Sequence, residues 1–325
     1  DAYPTALRLA LYKKMELYLD AIDRLKSAFL EKGKEFDKVL KMGRTQLQDA
    51  VPMVLGQEFD GFASTIDQDI KRLLEARALL ANCNMGDTAI GTMINTPKGY
   101  PQLVTKYLGE LTGIPVTLAD DLIDASSDTG DYVQLSGALK RSVLKISKIC
   151  NDLRLLSSGP RCGLNEINLP KLQPGSSIMP GKVNPVIPEV VNQTAFYVIG
   201  ADVTITMAAE AGQLQLNVME PVIGFSLFTS LTYMSNAVNT LTQKCVNGIT
   251  ANAETCKNFV MHSIGIVTAL NPILGYETSA SIAKEAEQSG KSVHTIVVEE
   301  RKLITQQKWD EIYSFENMVN PTLIK

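Results

Sequence analysis

Apolar residues recur at gaps of three and four over long stretches of this chain, and that repeat marks helices. Leu11, Met15, Leu19, Ile22, Leu25 and Phe29 form one such stripe, opened by Pro4 and Thr5. Gly33 is expected to interrupt it, with a short second helix running to about Met42. Residues 43–52 read as polar and irregular as far as Pro52. A helix is expected over 55–80, with Phe59, Phe62, Ile66, Ile70, Leu73 and Leu74 along one side. Gly86, Gly91, Pro97 and Gly99 punctuate a loop before a helix at 102–112 and a long amphipathic one at 131–156. The stretch 187–214 is the most apolar, carrying Val190, Val191, Ala195, Val198, Ile199, Val203 and Met207 among few charges. A helix apolar all round is covered by a large core or by partner chains. Pro221 opens another long helix, to about Val246. Five long helices with almost no alternating strand pattern predict an all-α bundle.

The texture changes at 247–254. Shorter helices are expected at 253–263, 275–289, 293–300 and 305–313, with Pro272 and Gly290 as separators. The reading is therefore a central helical-bundle domain, 1–254, and a small C-terminal helical domain, 255–325. No internal repeat is visible. The first residue is Asp1, and a helical pattern starts almost at once, so an N-terminal piece is expected to precede it.

Charge and composition narrow the function. The 325 residues hold 31 Lys and Arg against 35 Asp and Glu, a formal net charge of −4. No basic excess exists to neutralise phosphates, which argues against nucleic acid. Apolar runs are broken by residues such as Asp202 and Glu210, and no signal segment opens the chain, so no membrane role is expected. Cys83, Cys150, Cys162, Cys245 and Cys256 are odd in number and scattered, which suits reduced cytoplasmic thiols rather than zinc or disulfides. Two histidines, His262 and His294, make a histidine-built metal site improbable, and no cofactor is expected.

The stretch that concentrates chemistry is Gly175-Ser176-Ser177-Ile178-Met179-Pro180-Gly181-Lys182-Val183-Asn184-Pro185. Two glycines and two prolines keep it out of helix or strand. Three Ser-Ser pairs occur, at 126, 157 and 176, but only the third is followed by a lysine and an asparagine in one loop. A plain solvated connector is the bland alternative. A nucleophilic serine would need a histidine, and both histidines lie far along the chain in helical patterns, so a Ser-His-Asp hydrolase is disfavoured. A serine acting as a base, deprotonated, needs strong positive potential. Lys182, loop amides and the start of the helix near Ile187 would supply it. Such donors also stabilise the doubly charged carboxylate formed when the neighbouring carbon loses a proton, each worth about 3–4 kcal/mol. Arg44, Thr45, Gln46 and Gln48 form a second candidate set for carboxylate binding, with an ordinary polar loop as its rival. Glu189 is explained as a first-turn carboxylate facing the helix dipole, and the polar run from Glu210 through Gln213, Gln215 and Asn217 to Glu220 as a helix end plus connector.

GSSIMPGKVNP at 175–185 resembles the signature loop of the aspartase/fumarase superfamily, and GRTQLQDAVP at 43–52 resembles its second region. The likeness continues through 149–170, 186–193, 207–224 and 247–252, covering essentially the whole chain. PEVVNQ and AAEAGQLQLNVMEP point to the ammonia-releasing branch that acts on L-aspartate. The resemblance implies a homotetramer with a twenty-helix core, five helices from each chain, and active sites composed from three subunits. It implies that Ser176 is the base that takes a proton from C3, and that Ser177 binds the adjacent carboxylate. Thr45, Gln46, Lys182 and Asn184 would hold the other carboxylate and the amino group, with Glu189 supporting Gln46. The products would be fumarate and ammonia, formed by anti elimination through an aci-carboxylate. Some relatives are activated by magnesium, but no ligand cluster here demands it. Many relatives carry histidine where Gln46 stands. A non-titrating amide suits release of neutral ammonia better than release of water, which must be protonated to leave. The family's preceding domain supplies a Ser-Thr-Asn stretch that binds substrate, so this stretch alone is expected to be inactive. The alternatives are a class II fumarate hydratase and a truncated, non-catalytic scaffold.

Overall fold

The computed structural model describes residues 1–319. In chain order the helices are α1 (Ala2–Glu35), α2 (Leu55–Leu79), α3 (Tyr100–Thr112), α4 (Leu122–Ala125), α5 (Gly130–Leu156), α6 (Val186–Glu210), α7 (Glu220–Lys244), α8 (Ala253–His262), α9 (Asn271–Leu274), α10 (Tyr276–Ser289), α11 (Gln306–Ile312) and α12 (Phe315–Val319). A 3₁₀ turn covers Ile264–Leu270, and a π-helical turn covers Thr295–Glu300. The longest sheet is a hairpin of β1 (Leu40–Thr45) and β2 (Gln48–Val54). The chain divides into two units: the first holds 1–28, 62–154 and 170–248, the second 29–61, 155–169 and 249–325.

The first unit is a bundle of long helices, as expected. Leu11, Met15, Ile22 and Leu25 of α1, Leu135, Val143 and Leu153 of α5, Val191 of α6, and Leu227, Leu231 and Val238 of α7 are all within 1% of complete burial. Several polar residues inside this bundle are paired across helices, as burial favours. Asp69 of α2 sits 3.0 Å from Arg141 Nε and 3.1 Å from Lys145 Nζ of α5. Asp202 of α6 accepts from Ser136 Oγ at 2.6 Å and from Lys140 Nζ. Asn192 Nδ2 donates to Ser147 Oγ at 2.8 Å, and Tyr18 and Ser142 share a hydroxyl bond of 2.8 Å. These pairs fix the rotation of α5 against its neighbours, because a helical slip would strand each buried group.

Within the chain, α6 is buried on one side only. Pro188, Val191, Ala195, Val198, Ile205 and Ala208 are buried, while Val190, Phe196, Tyr197, Val203 and Met207 stand exposed within the chain. α7 continues that bare apolar surface with Val222, Phe225 and Tyr233.

The second unit differs from the sequence reading at its start. α1 passes through Gly33 without stopping, because that glycine permits a close approach: a Cβ there would meet Asp60 Oδ1 at 2.1 Å. Beyond the end of α1 at Glu35, a turn and the hairpin β1–β2 stand where the short helix and irregular segment were expected. The ladder slips between Met42 and Arg44, and Pro52 interrupts the other strand, so neither strand shows the period of two that would betray it. Leu40 and Met42 pack with Val260, Ile266, Leu270, Ile282, Ile296, Val297 and Trp309 in one core. Tyr313 donates its hydroxyl to Ile266 O at 2.8 Å within it.

Candidate active site

The loop from Gly175 to Pro185 belongs to the first unit and leads directly into α6. It closes on itself. Ser176 N–H donates to Lys182 O at 2.9 Å, and Lys182 N–H donates to Met179 O at 3.2 Å. Gly175 has φ 98°, and a Cβ on it would lie 3.1 Å from Lys182 O, so only glycine fits this closure without strain. Inside the closure, Ser176 Oγ accepts two backbone N–H groups, from Ile178 at 3.3 Å and Met179 at 3.0 Å.

That pair of amides gives the loop its chemistry. A hydroxyl oxygen that receives two N–H donors has its lone pairs stabilised before it loses a proton. Its alkoxide would keep both bonds and strengthen them, since hydrogen bonds to the charged form favour that form. The amino end of α6 starts at Val186, where the helix dipole adds positive potential. The side chains of Ser177, Lys182 and Asn184 make no hydrogen bond or ion pair among the described residues, and Lys182 and Ser177 are exposed. One loop therefore carries a stabilised oxygen, a second hydroxyl, a free ammonium and a free carboxamide. Glu189 lies in the first turn of α6, half-buried.

Thr45 and Gln46 lie in the second unit, at the exposed tip of the β1–β2 hairpin. Thr45 pairs with Gln48, leaving Gln46 and Leu47 as a two-residue turn with φ of 53° and 62°. Such turns normally take Asn-Gly, and each bulky left-handed residue costs about 1–2 kcal/mol. Arg44, a candidate carboxylate binder by its sequence context, is engaged within the unit. Its Nη1 donates to Glu166 Oε1 at 2.7 Å.

Sequence reasoning missed two features. The buried partnership of Glu166 with β1 joins residues more than a hundred positions apart and leaves no local signal. The stretch 86–95 holds Gly86, Thr88, Gly91, Met93 and Asn95 all at positive φ, with Asp87 buried and accepting from Asn84 Nδ2 at 2.7 Å. Its glycines, Gly86 and Gly91, were visible but read only as punctuation. The two histidines have local structural partners: His262 Nδ1 pairs with Asn258 O and His294 Nε2 with Gln306 Oε1, each at 2.8 Å. Asn217 is buried and donates to Ala208 O and Ala209 O, so the polar run after α6 is a helix end, as expected.

Residues 1–200 match the family model described as Lyase, and residues 266–320 match that described as Fumarase C C-terminus. Aspartate ammonia-lyase of Helicobacter pylori is 57% identical over all 325 residues, which span 69% of that relative. Aspartate ammonia-lyase of Escherichia coli is 57% identical over 321 residues, covering 99% of this chain and 67% of the relative. Among solved structures, a Brucella melitensis fumarate lyase:delta crystallin bound to cobalt superposes with TM-score 0.95 at 49% identity, over 99% of this chain and 69% of the other. The class II fumarase of Schistosoma mansoni superposes with TM-score 0.93 at 33% identity, over 99% of this chain and 70% of the other. With its signature loop, its bundle of long helices and these likenesses over the whole of its own length, the chain belongs to the aspartase/fumarase superfamily of lyases, in the aspartate ammonia-lyase branch.

Proposed function

We propose that this chain carries the lyase reaction that converts L-aspartate to fumarate and ammonia. The observation that carries the mechanism is the pair of amides on Ser176 Oγ. As the alkoxide, Ser176 removes the proton from C3, and the C–H electrons pass into the adjacent carboxylate to give a doubly charged aci-carboxylate. Ser177 and the loop amides hold that charge. The electrons then return to form the C2–C3 double bond, and the C2–N bond breaks on the opposite face. Nitrogen leaves as neutral ammonia, and Ser176 keeps the abstracted proton until solvent takes it.

Lys182 and Asn184 hold the second carboxylate and the amino group, together with Thr45 and Gln46 from a hairpin tip. Glu189 supports the place that Gln46 fills. No proton donor to the leaving group is required, which suits an amide at Gln46. The bare apolar faces of α6 and α7 favour assembly with further copies of the chain. We assign a homotetramer in which three subunits build each site. Five unpaired thiols, four of them buried, fit a cytoplasmic setting. No described helix is long and apolar enough to cross a membrane.

The test is substrate choice by the encoded full-length protein. L-Aspartate is expected to yield the ultraviolet absorbance of fumarate together with stoichiometric ammonia. Hydration of fumarate is the rival reading, favoured by the likeness to a class II fumarase. Consumption of L-malate with no turnover of L-aspartate would replace the first reading with the second.

A further inference from the structure

Three charged groups that the proposed reaction does not use meet inside the second unit. The Glu166 side chain is 0% exposed, Lys41 3% and Arg44 14%. Arg44 Nη1 donates to Glu166 Oε1 at 2.7 Å, and Lys41 Nζ lies 3.0 Å from Oε2. Lys41 also reaches Glu58 Oε2 at 2.6 Å.

Two cations of one strand should not reach the same carboxylate here. Side chains alternate along a strand, so positions 41 and 44 belong on opposite faces. The register slip between Met42 and Arg44 sets Gly43 opposite two residues of β2, Ala50 and Val51, so the regular ladder breaks between the two cations, and both reach the one carboxylate across that break. A Cβ at Gly43 would stand 3.0 Å from Val51 O and 3.2 Å from Met53 Sδ, so the slip is packed tightly around a glycine.

Glu166 is itself a fixed point. Its N–H donates to Leu156 O and its carbonyl accepts from Asn252 N–H, both at 2.9 Å. The same carbonyl receives the Cys256 thiol at 3.5 Å. The Phe259 ring lies 5.3 Å from the Arg44 guanidinium and closes the site from another element. Arg44 immediately precedes Thr45 and the left-handed pair Gln46-Leu47. That tip is held in a conformation its own residues disfavour, so the restraint must come from the strand below it. A buried carboxylate between two cations adds little net stability over apolar packing, but it fixes direction.

We propose that Glu166 is a positioning residue: through Arg44 and Lys41 it locks strand β1 so that the strained hairpin tip presents Thr45 and Gln46 to the substrate. This rests on the substrate role assigned above to the tip.

The test is steady-state kinetics of the full-length enzyme with L-aspartate. Glu166→Gln keeps the shape and removes the charge. It is expected to raise KM about tenfold while kcat stays within about threefold, the split of lost ground-state positioning. Arg44→Lys keeps the charge and loses the planar fork, so KM should rise in the same direction by about threefold. Gln46→Ala raises KM if the tip binds substrate, and the double variant Glu166→Gln/Gln46→Ala should then be no worse than the poorer single. If Gln46→Ala leaves KM at the parent value, the reading of the tip fails. If it raises KM while Glu166→Gln and Arg44→Lys do not, the positioning role fails by itself. Effects of Glu166→Gln and Gln46→Ala that multiply would also overturn it, because the two would then act independently. Should Glu166→Gln not fold, Arg44→Lys decides: an unchanged KM refutes the proposal.

Discussion

At the scale of single residues, the two amides on Ser176 Oγ are set by a loop closure that depends on Gly175. Gly175→Ala forces a side chain into a left-handed backbone against Lys182 O. The bundle does not depend on this exposed loop. We expect kcat to fall by about tenfold or more, consistent with a displaced stabilising donor, while the thermal midpoint moves by less than about 2 °C. Matched losses in rate and midpoint would contradict that separation. The thiols give a second residue-scale prediction. Burial pushes Cys245 and Cys256 each up to about 12, and pushes Cys150 up as well. At pH 8 a group titrating near 12 is ionised in only about one molecule in ten thousand. Alkylation at pH 8 should therefore modify exposed Cys162 first, with the buried thiols following only on unfolding, as peptide mass mapping would report.

At the scale of elements, packing predictions follow from the bundle. Leu231 of α7 is fully buried, so Leu231→Ala should cost about 2–5 kcal/mol, read from the shift in denaturant midpoint. How much of this was legible depended on periodicity. The stripe of Leu11, Met15, Leu19, Ile22, Leu25 and Phe29 is buried as its spacing required. The α2 stripe was nearly right, but Leu74 is exposed, while Asp69 takes a buried place paid for by two cations of α5. Such an ion pair cannot be seen from one helix alone. The hairpin was illegible because the first four residues of β1 are buried in a row, and the extra residue of β2 opposite Gly43 shifts the phase of alternation along that strand. Gly33 misled in the opposite sense: it signals a close contact with Asp60 rather than a helix end. The candidate loop was the most legible part, since Ser176, Lys182 and Asn184 are neighbours in sequence. Its amide pair was not, because N–H groups carry no residue signature.

At the scale of the whole molecule, the apolar surface of α6 and α7 bears on the proposed sharing of sites between subunits. Phe225 and Phe196 are 66% and 62% exposed within the chain, more than isolated surface aromatics require. Phe225→Lys should leave helical content near that of the parent but shrink the assembly, measured by light scattering, and turnover should fall with it. A dissociated form that turns over L-aspartate at the parent rate would exclude sites shared between subunits. The central claim concerns Ser176 as the base, and its most direct measurement is the turnover of L-aspartate by Ser176→Ala in an assembly of unchanged size. The account predicts a loss of at least about 10²–10⁴-fold in kcat, the usual worth of a positioned base. A variant that assembles normally and keeps a rate within threefold of the parent would contradict it.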